Sequence, residues 1–263
     1  MNSKNNNIIG LVGGMGPESG IEICRDILTF TNSSIDQDHL PVILMTYPNI
    51  EDRTAYIEGR INVNPALKIV EIIKSLEKIG ANIVGIACNT SYARKIYDVI
   101  KFELRNLGIS VNLVNMPYET CLFIKEEKPH IKRVGIMVTN GTYKSKVYDN
   151  ELISLGLELV KPDWEFQNNI IHKMIYDNKI GIKSNPGIVT EEVQKMLNET
   201  ITYFEKEQAE AIIIGCTEFS LVLKNKQIKG ITIIDSSKIL AKSLVREANS
   251  ENLVNKNQVM FST

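Results

Sequence analysis

The clearest indication of the fold comes from two similar stretches of sequence, IVGIACNT at residues 83–90 and AIIIGCTE at residues 211–218. Each stretch begins with a short apolar run rich in β-branched residues and ends with a cysteine followed by polar side chains. An apolar run of this length, bounded by turn residues, is typical of a buried β-strand. Because the two stretches lie in different halves of the chain, they indicate a duplicated unit with one cysteine per copy, Cys88 and Cys216.

Two further pairs of segments support the duplication. The strand-and-turn sequence at 8–17 resembles that at 133–142, and the apolar run at 111–116 resembles that at 231–235. Strand-like and helix-like segments alternate in both halves, which is typical of parallel sheets covered by helices. We therefore predict an α/β fold of two pseudosymmetric domains, each a parallel sheet flanked by helices, with the active site in the cleft between them.

The repeat also suggests where the chain divides. We expect an N-terminal α/β lobe of residues 1–117 plus 228–263 and a C-terminal α/β lobe of residues 118–227. The last strand and helix, residues 231–249, are assigned to the N-terminal lobe because they are expected to pack back on the first half. Residues 250–263 are polar with little periodicity and are expected to form a loosely held tail.

Apolar residues at helical spacing predict the main helices. These run over residues 17–30, 65–79, 93–107, 143–155 and 190–206. The apolar stripe of the 65–79 helix is expected to face the core and consists of Leu67, Val70, Ile73, Leu76 and Ile79. Residues 48–62 form a polar connection that is long enough to suggest a functional loop.

Composition limits the possible functions. The chain has 263 residues, 43% of them hydrophobic, so it can bury a large core. Its 30 basic and 31 acidic side chains nearly cancel and form no long basic run, which argues against a nucleic-acid partner. No apolar stretch reaches membrane-spanning length and the polar N-terminus lacks a signal-peptide core, so we expect a cytoplasmic protein with no membrane partner. In that compartment the four cysteines are expected as free thiols.

A cysteine at the carboxyl end of a parallel strand lies where open α/β sheets bind their ligands. A single cysteine there is more often a small buried hydrophobe than a functional group. The recurrence of Cys88 and Cys216 at equivalent positions favours function instead. Two thiols facing each other across a cleft can serve as base on one face of a tetrahedral carbon and acid on the other. Cys24 and Cys121 lack this context and are interpreted as packing residues.

Polar groups near the first predicted strands are candidates for binding an anionic substrate. The glycine turn GGMG at 13–16 lies at a strand-to-helix junction, where backbone amides can bind a carboxylate, so Met15 and Gly16 are candidate ligands. The turn matches neither nucleotide-binding glycine pattern, and no nucleotide cofactor is expected. Arg53, in the polar connection, either binds a carboxylate through its guanidinium or is a solvated surface cation.

Side chains beside the two cysteines are further candidates. Asn89, Thr90 and Thr217 either donate hydrogen bonds to a carboxylate or cap helices. Thr139 opens the turn of the second half that matches the glycine turn. Glu218 either orients a substrate ammonium group and influences the thiol, or caps a helix. The three histidines lack metal-ligand spacing, so no metal site is expected.

Three motifs, GGMGP at 13–17, CNT at 88–90 and GCTEF at 215–219, resemble the signature blocks of the aspartate/glutamate racemases, which are pyridoxal-independent amino-acid racemases. DRT at 52–54 is similar to a fourth block, and the resemblance covers nearly the whole chain in the same order. It implies that the two cysteines are the catalytic acid and base, in a cleft between two domains, with no cofactor and no metal.

The same resemblance implies roles for other side chains. Arg53 is expected to bind the side-chain carboxylate of the substrate, and Lys179 is expected to line the pocket, with Lys183 as the alternative. Many members of the family carry histidine where this chain has Tyr92, so the site is expected to lack one ionisable group. We expect a homodimer whose substrate is a small acidic amino acid, aspartate first and glutamate second.

Other functions fit the same features. A broad-specificity amino-acid racemase or a hydantoin racemase is an alternative of the same class. A one-cysteine arylmalonate decarboxylase is disfavoured because both thiols are present. A non-catalytic two-lobed small-molecule-binding protein is the alternative from another class, and the retention of both thiols argues against it.

Overall fold

The computed structural model describes residues 7–185, 187–223 and 227–253, and two sheets form the centre of its fold. The first sheet has four parallel strands, β1 (Ile9–Gly13), β2 (Val42–Thr46), β3 (Ile83–Ile86) and β4 (Asn112–Val114). They are arranged in the order β2-β1-β3-β4. The two central strands, β1 and β3, are fully buried, as their continuous apolar sequences require.

The second sheet repeats this arrangement. Its strands are β5 (Arg133–Val138), β6 (Glu158–Val160), β7 (Ala211–Gly215), β8 (Gln227–Ile228) and β9 (Ile231–Asp235). Their order is β6-β5-β7-β9-β8, and all neighbours are parallel except β8 and β9. β5, β6, β7 and β9 thus occupy the places of β1, β2, β3 and β4 in the first sheet. The predicted α/β fold with two similar parallel sheets is confirmed.

Helices connect the strands and cover the sheets. The first half contains α1 (Pro17–Phe30), α2 (Arg53–Ile57), α3 (Ala66–Lys78), α4 (Arg94–Asn106) and α5 (Met116–Glu127). The second half contains α6 (Asn140–Lys144), α7 (Val147–Ser154), α8 (Trp164–Phe166), α9 (Lys173–Tyr176), α10 (Glu191–Lys206), α11 (Thr217–Val222) and α12 (Ser236–Ala248). A π-helical segment, Gln167–His172, joins α8 to α9, and 3₁₀ turns lie at Asp36–Asp38, Asn89–Tyr92 and Ser250–Asn252. Within the described ranges no helix is both long and apolar enough to cross a membrane.

Helix α10 shows why the predicted helices form. Thr190 caps its first turn by accepting a hydrogen bond from the Val193 amide at 3.3 Å. Phe204, on its buried face, packs so closely over Gly135 that an added Cβ there would lie 2.7 Å from the ring. Burial of a side chain of this size stabilises the fold by about 1.5–3 kcal/mol. The predicted helix over 190–206 is confirmed.

Two predicted helices differ from the structure. The helix expected over 143–155 is split into α6 and α7, because Lys146 between them adopts a left-handed conformation with φ of 55°. In α3 the expected apolar stripe is only partly correct. Leu67 and Ile79 are 53% and 57% exposed, whereas Ile69 and Ile72 are buried.

The polar connection over 48–62 contains a short helix rather than only a loop. Asp52 caps this helix, α2, by accepting a hydrogen bond from the Ala55 amide on Oδ1 at 2.6 Å. Arg53 is its first residue and is buried. The cap therefore fixes the backbone from which the Arg53 side chain projects.

The last segment of the chain contributes to both halves. Strand β9 pairs with β7 in the second sheet, whereas the expected assignment of 228–263 would place it with the first. The repeat explains this position, because β9 is the counterpart of β4. Helix α12 packs against α1 and against α5, most of which falls within the expected C-terminal lobe. The division of the chain into lobes stays a prediction, and the part of the expected tail beyond residue 253 lies outside the described residues.

Candidate active site

The two cysteines singled out from the sequence line one cavity. Cys88 lies two residues beyond β3 and Cys216 directly follows β7, and both are buried, with exposures of 8% and 6%. The cavity has an empty volume of about 300 Å³, including space open to solvent. Its walls are formed by Met15, Arg53, Cys88, Asn89, Thr90, Thr139, Tyr176, Lys183, Gly215, Cys216, Thr217 and Glu218.

At one end of the cavity Cys216 is coupled to a carboxylate. Its thiol donates a hydrogen bond to Glu218 Oε2 at 2.8 Å, and Lys183 Nζ pairs with Glu218 Oε1 at 2.7 Å. Burial raises the pKa of Cys216 well above its usual value, and the Glu218 charge adds to this rise. Burial also acts to raise the pKa of Glu218, but Lys183 and the thiol hydrogen bond outweigh it and lower that pKa. Cys216 is therefore held as a thiol beside an ionised carboxylate.

Thr217 is tied into the same group of side chains. Its hydroxyl donates to Glu218 Oε2 at 3.3 Å and accepts from Ser19 Oγ at 2.6 Å. Ser19 lies on α1, in the first half of the chain, so this contact crosses between the halves. The only hydroxyl proton of Thr217 is thus already used within the protein.

Near Cys88 the cavity wall carries a buried guanidinium. Arg53 donates from Nη1 to the carbonyl oxygens of Ile50 and Glu51 at 3.1 and 2.9 Å, and from Nη2 to that of Met15 at 3.3 Å. Its Nε is buried and has no hydrogen-bond partner among the described residues. Burial acts to lower the pKa of Arg53, but the acidic groups around it, Cys88 first and then Tyr176 and Asp52, together outweigh burial and raise that pKa. The site thus holds a fixed cation with an unused donor.

Three threonine hydroxyls form a cluster between the halves. Thr90 Oγ1 lies 3.0 Å from Thr139 Oγ1 and 2.9 Å from Thr142 Oγ1, and the last two are 3.3 Å apart. Hydroxyl protons rotate at little cost, so the cluster can turn an O–H group toward an anion. Gly141 allows this close approach, since a Cβ there would lie 2.7 Å from Thr90 Cγ2.

Most of the predicted site residues come together in this cavity. The exceptions are Gly16 and Lys179. Gly16 lines a neighbouring, larger cavity of about 1120 Å³ that shares Met15, Arg53, Lys183 and Glu218 with the first.

Lys179 was expected to line the pocket, but its side chain is exposed and lies outside it. Asp177 Oδ1 accepts hydrogen bonds from the amides of Lys179 and Ile180 at 2.9 and 3.1 Å, which forms a tight turn. Beyond the turn the Ile182 amide donates to Met174 O at 2.8 Å. The turn thereby brings the alternative residue, Lys183, into the cavity wall.

Tyr176 is a site residue that the sequence did not reveal. Its phenol donates to Asp52 Oδ2 at 3.2 Å, and its ring lies 5.2 Å from Lys183 Nζ. His172 stacks on the ring with centroids 4.6 Å apart, and burial lowers the pKa of His172 to about 4, so the imidazole is neutral. No motif surrounds Tyr176 in the sequence. Its place in the site depends on contacts between segments distant in sequence, such as that between α9 and the start of α2.

Tyr92 lies in the core rather than at the cavity. Its phenol donates to the Val114 carbonyl at 3.0 Å and accepts from the Ile86 amide at 3.3 Å. Its ring packs on Tyr97, with centroids 5.1 Å apart. Tyr92 therefore adds no group to the cavity wall, and the expected lack of one ionisable group in the site stays a prediction. Across the ranges described here, no group of three or more His, Cys, Asp or Glu side chains is placed to hold a metal ion.

Known racemases resemble this chain along most of its length. The family model for Asp/Glu/hydantoin racemase matches residues 12–244. The broad specificity amino-acid racemase RacX of Bacillus subtilis is 28% identical over 247 residues, which cover 90% of this chain and 96% of RacX. A glutamate racemase of Aquifex aeolicus is 25% identical over 216 residues, covering 78% of this chain and 76% of the relative. The structure of Picrophilus torridus aspartate racemase superposes with a TM-score of 0.72 at 25% identity and covers 95% of this chain and 97% of its own.

Proposed function

This chain belongs to the Asp/Glu/hydantoin racemase family, and we propose that it racemises a small acidic amino acid, aspartate first and glutamate second. It is thus an isomerase of the amino-acid racemase class. The observation that carries the finer proposal is the pair of buried thiols, Cys88 and Cys216, at equivalent strand ends in the wall of one cavity. One thiolate removes the α-proton and the other thiol protonates the opposite face.

The surroundings of the two thiols differ. Burial and Glu218 favour the protonated form of Cys216, whereas the Arg53 guanidinium shares the cavity wall with Cys88. Cys216 therefore rests as a thiol. When Cys216 has to act as the base, Lys183 offsets the repulsion between its thiolate and Glu218.

The cations of the cavity support an acidic substrate. Lys183 is already paired with Glu218, but Arg53 keeps an unused Nε donor. A substrate with a second carboxylate satisfies this donor, whereas a neutral side chain leaves it unpaired at a cost of about 1–3 kcal/mol. The backbone amides after the cysteines, with Asn89 and the hydroxyl of Thr90, are assigned to the α-carboxylate, where negative charge develops as the α-proton leaves. Glu218 is assigned to the α-ammonium group of the substrate, because the two groups carry opposite charges.

A second candidate is a racemase of broad specificity. The larger cavity beside the thiols leaves room for longer side chains, and the Bacillus subtilis relative carries that specificity in its name. In this case Arg53 stabilises the cavity wall through its hydrogen bonds to backbone carbonyl oxygens and does not bind a side-chain carboxylate of the substrate. The two candidates differ in the ratio of kcat/KM for aspartate to that for a neutral amino acid.

A substrate panel tests both candidates. The purified chain is incubated in D₂O with each enantiomer of aspartate, glutamate, alanine and lysine, without added pyridoxal phosphate and with a metal chelator. We expect inversion, with deuterium at the α-carbon of the product, for aspartate and glutamate. Comparable rates for alanine or lysine would favour the broad-specificity candidate, and no exchange with any amino acid would contradict the proposal.

The remaining expectations belong to the same proposal. We propose a homodimer that acts in the cytoplasm and needs no cofactor. Light scattering of the purified chain measures the first property. Activity in the panel, which is run with a chelator and without added pyridoxal phosphate, measures the last.

A further inference from the structure

A buried chain of hydrogen bonds joins the segments that carry the two cysteines. Asn89, which follows Cys88, donates from Nδ2 to Ser236 Oγ at 3.1 Å. Ser236 in turn donates from Oγ to the carbonyl oxygen of Ile214 at 2.9 Å. Ile214 lies on β7 just ahead of Cys216, and Asn89 and Ser236 are 3% and 0% exposed. We call this chain, Asn89 to Ser236 to Ile214, the strand-end bridge.

Tyr148 holds the other end of the Asn89 amide. Its phenol donates to Asn89 Oδ1 at 2.5 Å. The single hydroxyl proton of Ser236 goes to Ile214, so Ser236 Oγ must accept from Asn89, and this fixes which end of the amide faces Tyr148. The Tyr148 ring also packs on Gly215, where an added Cβ would lie 2.8 Å from Cε2. Tyr148 therefore contacts the residue next to each cysteine.

We propose that Ser236 and Tyr148 are positioning residues, which hold Cys88 and Cys216 at the separation that protonation on opposite faces of one carbon requires. This inference rests on the proposed two-thiol function and adds to it. Neither residue lines the cavity, so both act through Asn89 and β7. A displacement of reacting groups by about 1 Å can slow a reaction on the order of 10²-fold, so a bridge between the two strand ends has direct consequences for the rate.

A reaction that needs only one thiol separates positioning from binding. In 3-chloroaspartate a thiolate removes the α-proton, the C–H electron pair forms a carbon–carbon double bond, and chloride leaves with the C–Cl electron pair. Tautomerisation and hydrolysis by water then give oxaloacetate and ammonium. Racemisation of aspartate, in contrast, requires both thiols to reach the same carbon. A change in thiol separation therefore slows racemisation much more than elimination, whereas a loss of binding slows both.

The test compares Ser236→Ala and Tyr148→Phe with the native chain in both reactions. We expect kcat/KM for aspartate racemisation to fall by about 10- to 100-fold in each variant. Elimination from 3-chloroaspartate should stay within about threefold of native, because any weakening of the Asn89 contact to the α-carboxylate affects both reactions alike, whereas the separation of the thiols affects only racemisation.

Two matched controls exist in the chain. The Ser237 hydroxyl is also buried at the start of α12 but has no hydrogen-bond partner in the described part of the chain, so Ser237→Ala should leave both rates unchanged. Tyr203 donates to Lys161 O at 3.3 Å, away from the cavity, and Tyr203→Phe serves as the control for Tyr148.

Equal losses of racemisation and elimination would overturn the proposal, and so would racemisation within about threefold of native in both variants. Thermal unfolding identifies a variant that fails to fold, and the other variant then decides the question. If the native chain eliminates chloride but does not racemise aspartate, the two-thiol function itself is wrong. The native chain alone gives that result, so failure of the two-thiol function is distinguished from failure of the positioning proposal.

Discussion

At the scale of single residues, charge and hydrogen bonding define what each group can do. Arg53 is 7% exposed and is fixed by three carbonyl oxygens, and its buried Nε has no hydrogen-bond partner among the described residues. Glu218 is fixed between a thiol and an ammonium group. Both side chains have lost most of their freedom before a substrate arrives, so little entropy remains to be lost on binding.

We expect Arg53→Ala to weaken transition-state binding of aspartate by about 2–5 kcal/mol, because the substrate carboxylate is left buried without its partner. Arg53→Lys should restore little, since an ammonium group cannot contact three carbonyls and a carboxylate with the geometry of a guanidinium. Steady-state kcat/KM for aspartate and for alanine is the measurement. A loss confined to aspartate supports the assignment, and an equal loss for alanine assigns Arg53 to the cavity wall.

Glu218→Gln removes the negative charge beside Cys216. Because that charge helps to raise the pKa of Cys216, the variant should form the Cys216 thiolate at lower pH than the native chain. The rate of Cys216 alkylation by iodoacetamide, followed by peptide mass spectrometry across pH, measures this shift. Glu191→Gln, on the distant helix α10, is the control. An unchanged pH dependence would show that Glu218 does not influence the thiol.

At the scale of elements, the packing of α1 against α12 changes the pKa of a carboxyl group on α1. Asp26 on α1 lies near the start of α12, where Lys238 lowers its pKa and Asp235 raises it. Burial is the largest effect, and together these raise the pKa of Asp26 from 3.8 to about 6. The charged carboxylate is therefore disfavoured in the folded chain relative to the unfolded chain.

We expect Asp26→Asn to raise the melting temperature at pH 7 and to have little effect at pH 3.5. The folded-state pKa is raised, so the neutral carboxyl group favours folding. That stability is fully present below about pH 3.8 and is lost as the pH rises through about 6. Thermal unfolding at several pH values measures the difference, with Glu126→Gln on the exposed face of α5 as control. An equal effect at both pH values would exclude titration of Asp26 as the cause.

Local sequence predicts the elements well where pattern and cap agree. Thr190 and the stripe ending in Phe204 define α10 before any tertiary contact is known. Lys146 breaks the expected 143–155 helix without glycine or proline, because its backbone adopts a left-handed conformation that the residue type does not signal. The position of Lys183 in the cavity wall depends on a turn stabilised by Asp177. The sequence alone did not show whether Lys179 or Lys183 lines the cavity. Burial of Tyr92 depends likewise on strand ends that are distant in sequence.

At the scale of the whole molecule, the site exists because the two halves meet. Thr90 contacts Thr139, Lys144 pairs with Glu58 at 2.8 Å, and Tyr176 bonds to Asp52. The duplication could be predicted because each half repeats its strands and its cysteine. The side-chain contacts between the halves could not be predicted, since the residues that make them share no motif.

Gly141→Ala should lower racemase activity by separating the halves. The added methyl group would lie 2.7 Å from Thr90 Cγ2 and 3.0 Å from Thr54 Cα, so one half must move. We expect kcat/KM for aspartate to fall by about tenfold or more. Gly108→Ala is the control, because its Cβ meets no atom within 4 Å and strains only a surface turn at φ +67°. Equal losses in the two variants would show that contact between the halves is not the cause.

The central claim is that Cys88 and Cys216 act together as base and acid, and single replacement of each thiol by a hydroxyl tests it most directly. Chiral analysis of aspartate incubated with Cys88→Ser, Cys216→Ser and the half-buried control Cys24→Ser gives the rates. We predict that either of the first two lowers racemisation by about 10²- to 10⁴-fold, because a hydroxyl neither ionises nor donates its proton as readily as a thiol, while Cys24→Ser retains native activity. Racemisation near the native rate in either Cys88→Ser or Cys216→Ser would contradict the two-thiol mechanism.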